Sequence, residues 1–436
     1  MNGGPVVYVL LGLLLVGVVL GVLLLVRRHR YVASLRERGW AFESAPSLES
    51  VLDHHAPPFG LGLVRAVDEG IAGTTRAGVP FRVFEYEVKS GGPRFDARLA
   101  SLRLPATLPD LFVSAGPVRA GVRLPAVPLD PALQVHAADP GYARALLSPA
   151  VLAALAAFGR AGHPVDVSVD GAQLVAVGAP KDPDALQAYL EALAPVVLAV
   201  DPAAVAPWSR PPVAPGFTFH GRPDWVLVGS DDSAIARFGL TTAGFGHTTE
   251  QVVRGDNGGL PVEGLVHRWK THRTETSTDS QGRSQTRTVT EHHDEVVAGV
   301  WLPFALPQLS VDGGWGGERI RFESEEFNDR FKVRSASARL AYDVIHPRTM
   351  EFLMAVRPPG LRIEGNLMRF LVSSHDTETL AFCADFAHDF LARVPSFVWK
   401  NLQISPPAFR VDALTAPLPP APAHAPLGAQ PTPELR

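Results

Sequence analysis

The chain carries one long uninterrupted apolar run, VVYVLLGLLLVGVVLGVLLLV at 6–26, followed by strand-like and helix-like periodicities in an order that occurs twice. At about 1.5 Å per residue the run would span roughly 30 Å as a helix, the thickness of a bilayer's hydrocarbon core. Beyond it, PFRVFEYEV (80–88) alternates apolar and polar positions, residues 90–93 supply turn chemistry, and 97–104 returns as a second strand. A second hairpin is predicted from 260–270 and 295–302. There the polar segment THRTETSTDSQGRSQTRTVTEHHD intervenes, so the spacing predicts a long polar hairpin over 271–293, turning near Gln281 and Gly282.

Each hairpin runs into nearly the same phrase, LPATLPDLFV at 104–113 and LPFALPQLSV at 302–311. Short strands follow, LQVHA (133–137) and FKVRS (331–335). Helical stretches then restart at Pro149 and Pro347, where a proline in the first turn sacrifices no amide hydrogen. The same offset of 198 separates Pro105 from Pro303, Val135 from Val333 and Pro149 from Pro347, so the copies stay in register. Residues 165–177 and 361–372 read as β-hairpins turning at Asp170-Gly171 and Glu364-Gly365. Each copy closes with an amphipathic helix, its stripe formed by Leu186, Leu190, Leu193, Val197 and Val200 or by Leu380, Cys383, Ala387, Phe390, Leu391 and Val394.

The predicted fold class is α+β: a single N-terminal transmembrane helix at 6–26, a basic juxtamembrane segment at 27–37, two tandem related α+β domains at 38–200 and 217–402, a stiff proline-rich linker at 201–216, and a disordered Pro/Ala-rich tail at 403–436. Arg27, Arg28 and Arg30 follow the apolar run directly, and Arg36 and Arg38 come soon after. Basic flanks stay on the cytoplasmic side, which predicts a single-pass protein of the cell's inner membrane with its N-terminus outside and both domains in the cytoplasm. Gly17 and Gly21 make a small-xxx-small face through which two such helices could form a homodimer.

A formal net charge of -4 over 436 residues argues against a nucleic-acid partner. The single cysteine, Cys383, excludes an internal disulfide and a cysteine-based zinc site, and its place on an apolar stripe reads as a small buried hydrophobe.

The most specific string is SEEFNDRFKVRSASARLAYDVIHPRTMEFL at 324–353. With the apolar run in front, it resembles the uncharacterised bacterial family called domain of unknown function 3137, here in two tandem diverged copies. The matching positions are Phe327, Asn328, Phe331, Val333, Ala341, Tyr342, Pro347, Arg348, Met350, Glu351 and Leu353. The resemblance implies a membrane-anchored architecture and no established reaction. Because the first copy keeps only the hydrophobic frame of this string, any polar site is expected in the second.

Candidate ligand- or partner-binding residues are therefore Asn328, Phe331, Tyr342, Arg348 and Glu351. Their bland reading is a turn asparagine and the charged first turn of a helix. Among His267, His272, His292 and His293, a hairpin closing about Gln281 and Gly282 would set His272 and His293 diagonally on one face, a weak metal candidate. The glycine clusters at 313–317 and 244–246 match neither a dinucleotide fingerprint nor a P-loop, and the chain has no GxSxG elbow or HExxH pair. The acidic pairs Glu325–Glu326 and Asp231–Asp232 read as solvated loops. No cofactor is implied and no catalytic residue is assigned. The expected role is a non-catalytic, membrane-tethered interaction or scaffold protein with a protein partner. The alternatives are a small-molecule or lipid sensor using the second domain, and an enzyme of unrecognised class.

Overall fold

A computed structural model describes residues 4–278, 284–312 and 317–405, and the chain divides into two compact units, Met1–Lys89 with Pro93–Gly216, and Ser90–Gly92 with Phe217–Arg436. Both are α+β, each built on an antiparallel sheet.

The first unit contains α1 (Gly4–Glu37), β1 (Ala41–Glu43), β2 (Val64–Thr74), β3 (Pro80–Ser90), β4 (Phe95–Ser114), β5 (Gln134–Ala137), α2 (Pro140–Leu146), α3 (Pro149–Arg160), β6 (Asp166–Val177), α4 (Pro183–Leu198) and α5 (Pro202–Val205). Strands run in the order β1-β2-β3-β4-β5, and β6 lies along the other side of β4. Helices α2, α3 and α4 cover one face, burying Tyr142, Leu155, Phe158, Leu186, Tyr189 and Leu193 against Leu102, Leu111, Val113 and Val169.

The second unit contains β7 (Val226–Gly229), α6 (Ser233–Arg237), β8 (Phe245–Asp256), β9 (Pro261–Thr278), β10 (Ser284–Val311), β11 (Glu318–Ile320), α7 (Glu325–Arg330), β12 (Val333–Ser335), α8 (Ala338–Val344), α9 (Pro347–Val356), β13 (Leu361–Phe370), α10 (Thr377–Ala392) and α11 (Ser396–Asn401). Its order, β11-β12-β10-β9-β8-β7 with β13 along the other side of β10, repeats the six strands of the first unit and adds β11 at the edge beyond β12.

The repeated LP phrase sits where each long central strand changes neighbours. In β4, residues 95–102 pair with β3 and residues 111–114 with β5, while β6 runs alongside with register shifts between Arg103 and Leu108 and between Leu108 and Leu111. In β10 the change is from β9 to β12, with shifts between Trp301 and Leu306 and between Leu306 and Leu309. A residue with no neighbour on one side needs no amide donor there, so proline fits without leaving an orphan.

Opposite the bulges, Gly171 (φ 56°) pairs with Leu108 and Gly365 (φ 59°) with Leu306. These glycines therefore supply left-handed kinks inside continuous strands. The hairpins expected at 165–177 and 361–372 do not form: both halves of β6 pair with β4 and both halves of β13 with β10, so each runs on as one strand.

Part of the segment 201–216, expected to be a stiff linker, packs on the first unit. Asp201 accepts the Ala203 amide at 2.9 Å, Val205 is buried, Trp208 Nε1 donates to Asp139 at 2.7 Å and the Arg210 amide to the Thr107 carbonyl at 2.9 Å.

Helix α1 contains the predicted span, but the side chains of residues 4–13 lie outside the described residues. Among the described residues no single helix is long and apolar enough to cross a membrane; two bent pairs, Pro140–Leu146 with Pro149–Arg160 and Pro183–Leu198 with Pro202–Trp208, pass that test, and they carry the first unit's core. The expected tail falls outside the described residues from 406 onward.

Candidate functional site

The second unit's sheet continues into a ribbon. Strands β9 and β10 pair without a bulge from Val262–Val300 to Thr278–Ser284, whereas β8 ends against them at Phe245–Lys270. Eight rungs, from Thr271–Glu291 to Thr278–Ser284, therefore extend beyond the other strands, about 27 Å of two-stranded arm. Residues 279–283, including Gln281 and Gly282 where the sequence predicts the turn, lie outside the described residues. One face is tied by Arg273–Glu291 at 3.4 Å, Arg287–Glu275 at 3.5 Å and Arg273–Glu275 at 3.1 Å; the other carries Thr274 opposite Thr288 and Thr276 opposite Thr286.

At the arm's root, four rings line one face. His267 stacks on Trp269 (centroids 4.8 Å, planes 21° apart), Trp269 on its cross-strand partner His293 (5.2 Å, 19°), and His247 on His267 (5.3 Å, 19°). His247 Nδ1 lies 3.1 Å from His267 Nε2, and Thr271 Oγ1 lies 2.7 Å from His293 Nε2. Beyond His267 stands Glu295, ion-paired with Arg369 of β13. His267 is fully buried, and desolvation, reinforced by His247, lowers its pKa.

The two metal candidates are not brought together. His293 faces Trp269, three residues from His272, whose own partner is Thr290, so His272 and His293 project from opposite faces. The true register differs by one residue from the one that would set them diagonally, and in a strand one residue is a change of face. His272 instead packs on Phe245 at 4.5 Å. No group of three or more His, Cys, Asp or Glu among the described residues could hold a metal ion.

The aromatic candidates gather around α7 and α8, the charged ones do not. Asn328 Oδ1 accepts the Phe322 amide at 2.9 Å, and Nδ2 donates to the carbonyls of Phe322 at 2.6 Å and Ser324 at 2.8 Å, so its polar groups are spent on one turn. Phe331 is buried against Phe327. Tyr342 leans on Phe322 and donates its hydroxyl to the Arg321 carbonyl at 3.0 Å. Arg348 and Glu351 are exposed on α9. Asp231 and Asp232, expected to be solvated, tie α6 to β8: Asp231 pairs with Arg237 and Arg254, and Asp232 accepts the Thr249 amide at 2.8 Å.

The first unit, where no polar site is expected, buries a relay of polar side chains. Asp53 Oδ1 lies 2.8 Å from His54 Nδ1, and His54 Nε2 lies 3.0 Å from Ser101 Oγ; Arg82 bonds Asp53 at 2.6 Å, and Ser101 Oγ lies 3.1 Å from the Gln173 carboxamide. The distances are those of a nucleophile, a base and an orienting acid. Ser101, however, is 1% exposed and His54 2%, so the chain of bonds closes on itself and anchors the 47–62 connection to the sheet. Asp170, buried nearby, accepts the amides of His55 and Ala56 at 2.8 and 3.0 Å, and burial with neighbouring Asp110 pushes its pKa to about 8. Sequence offered only the run Asp53-His54-His55, with nothing to connect it to a strand serine 47 positions away.

Two small voids repeat with the fold. A void of about 20 Å³ among Leu111, Leu146, Val169, Val196 and Val200 recurs as one of about 10 Å³ among Leu309, Val344, Ile363, Phe390 and Val394, against the roughly 10 to 15 Å³ that one water requires. A wider depression, about 180 Å³, lies between β1–β3 and residues 46–50, but Arg82 at its edge is already paired to Asp53.

No family model matches the chain and no curated protein matches it, so the resemblance to domain of unknown function 3137 rests on the residues quoted for it. Among solved structures, the crystal structure of the mycobacterial trehalose monomycolate transport factor A is similar over 43% of this chain and 97% of its own, at 11% identity and a TM-score of 0.31, a likeness too slight to carry an argument.

Proposed function

We propose that the chain is a non-catalytic interaction or scaffold protein, tethered to the inner membrane by residues 6–26 with both α+β units on the cytoplasmic side, and that the β9–β10 arm is its contact element. The arm carries the reading. Its eight rungs extend past the rest of the sheet, no other strand pairs with them among the described residues, and strand edges left open in this way template pairing with another chain.

The tether is supported by the described part of α1, where Leu14–Leu25 hold apolar side chains half or more exposed, followed at once by Arg27, Arg28 and Arg30. Gly17 and Gly21 have no atom within 4 Å of where a Cβ would stand, leaving room for a second helix.

Thr271 and Glu291 are cross-strand partners, so residues 272–290 can be replaced by an Asn-Gly turn that keeps the four stacked rings His247, His267, Trp269 and His293. That variant should lose a specific partner that co-purifies with the full chain; an unchanged set of partners would remove the arm from the proposal. Protease added to spheroplasts should spare everything beyond Arg27, and digestion there would overturn the orientation.

A further inference from the structure

Resting on the reading of the arm as a contact element, we infer that the arm's occupant is a second copy of this chain, joined through the outer edge of β10 in an antiparallel pair whose two-fold axis passes through Val289. Residues 284–297 of β10 have β9 on one side and no strand on the other among the described residues, since β13 joins only from Ala298. The middle of this open edge reads Arg287-Thr288-Val289-Thr290-Glu291.

An isologous contact sets residue i opposite j and j opposite i. Centred on Val289, it faces Arg287 with the second copy's Glu291, Thr288 with its Thr290 and Val289 with its Val289. Opposite charges, threonine pairs and a β-branched pair are the cross-strand combinations that favour sheet pairing, and Thr and Val both favour strands.

The complementarity extends inward. Arg287 already faces Glu275 across β9, so the combined sheet reads Glu275, Arg287, then the second copy's Glu291, with signs alternating along the row. Other registers lose this match: a centre on Arg287 or Glu291 sets like charges face to face, a centre on Thr288 or Thr290 puts Arg287 opposite Val289 or His293 instead of a carboxylate, and an in-register parallel alignment matches Arg with Arg. The open edge of β9 offers a rival centre at Thr274, where Arg273 would meet a second copy's Glu275, but that edge is shorter and places no apolar residue on the axis.

The test uses the full-length protein in detergent. Val289→Cys should give a disulfide-linked dimer on mild oxidation, because directly opposed antiparallel residues have Cα atoms about 4.5 to 5.5 Å apart, within disulfide reach. The native Cys383 is buried and should stay silent. Cross-linking should exceed that of Thr274→Cys at least tenfold, fall several-fold when Arg287→Glu or Glu291→Arg is added singly, and return when both are combined. In the chain without substitutions, hydrogen exchange should show protection at successive amides of 284–294, where a lone ribbon would protect only alternate ones.

Predominant cross-linking at Thr274→Cys, or alternate-amide exchange with no Val289→Cys dimer, would overturn the inference. If it falls while the Asn-Gly replacement of 272–290 still strips away a different protein, the scaffold reading survives without self-pairing.

Discussion

His247 Nδ1 and His267 Nε2 face each other across 3.1 Å, so one hydrogen serves both rings. His267 lies on β9 between His247 of β8 and Glu295 of β10, with Arg369 of β13 and Asp232 ahead of α6 also acting on it. Burial and the second imidazole outweigh the two carboxylates, and the ring is held neutral where the arm leaves the sheet.

Stability of the second unit should therefore fall as pH drops through about 6.5, the ordinary histidine value, because the unfolded chain takes up a proton that folded His267 resists. Urea midpoints between pH 5 and 8 should show this slope, and His267→Gln should reduce it, leaving the share of His375, whose pKa burial also lowers. A midpoint rising toward acid would contradict the assignment.

Asp170 predicts the opposite sign in the first unit. Its pKa is raised to about 8, so the folded state holds a proton that the unfolded chain has released above about 4, and stability declines with rising pH between those limits. Asp170→Asn keeps a side-chain oxygen for the His55 and Ala56 amides and has no proton to lose. Its stability relative to the parent should improve by up to about 1.4 kcal/mol per pH unit across that window, read from denaturation curves at pH 5 and 8.

Asn328 and the α9 charges should separate cleanly. Asn328→Ala leaves the amide of Phe322 and the carbonyls of Phe322 and Ser324 without their partner and should cost about 1 to 3 kcal/mol of stability. Arg348→Ala and Glu351→Ala, both exposed, should stay within about 0.5 kcal/mol. A large loss at either of the latter would show a packing role that their exposure denies.

Gly299 occupies the rung that Ser101 holds in the first copy. A Cβ there would stand 2.5 Å from Phe238 Cε1 and 2.9 Å from Leu367 Cδ1. Gly299→Ala should destabilise by about 1 to 3 kcal/mol through overpacking, and Phe238→Leu in the same chain should recover part of that loss.

These rungs show how far sequence reaches. The alternation in 80–88, the LP phrases, the prolines that open α3 and α9, and the constant offset are local signals, and they were enough to predict two related α+β units and a long polar ribbon. Asp170-Gly171 and Glu364-Gly365 read as hairpin turns in sequence, because an acidic residue followed by glycine satisfies a tight turn and a left-handed kink alike; the partner strand decides between them.

Whether His272 and His293 share a face depended on a register only one residue from the expected one. Whether Asn328 was free depended on backbone groups brought back by a turn, and the Asp53–His54–Ser101 relay depended on a connection folding over a sheet. Periodicity and punctuation along the chain therefore determined which elements form and that they form twice. Register, neighbour exchange and burial are set by contacts between residues far apart in sequence, and only the tertiary structure decided which side chains meet.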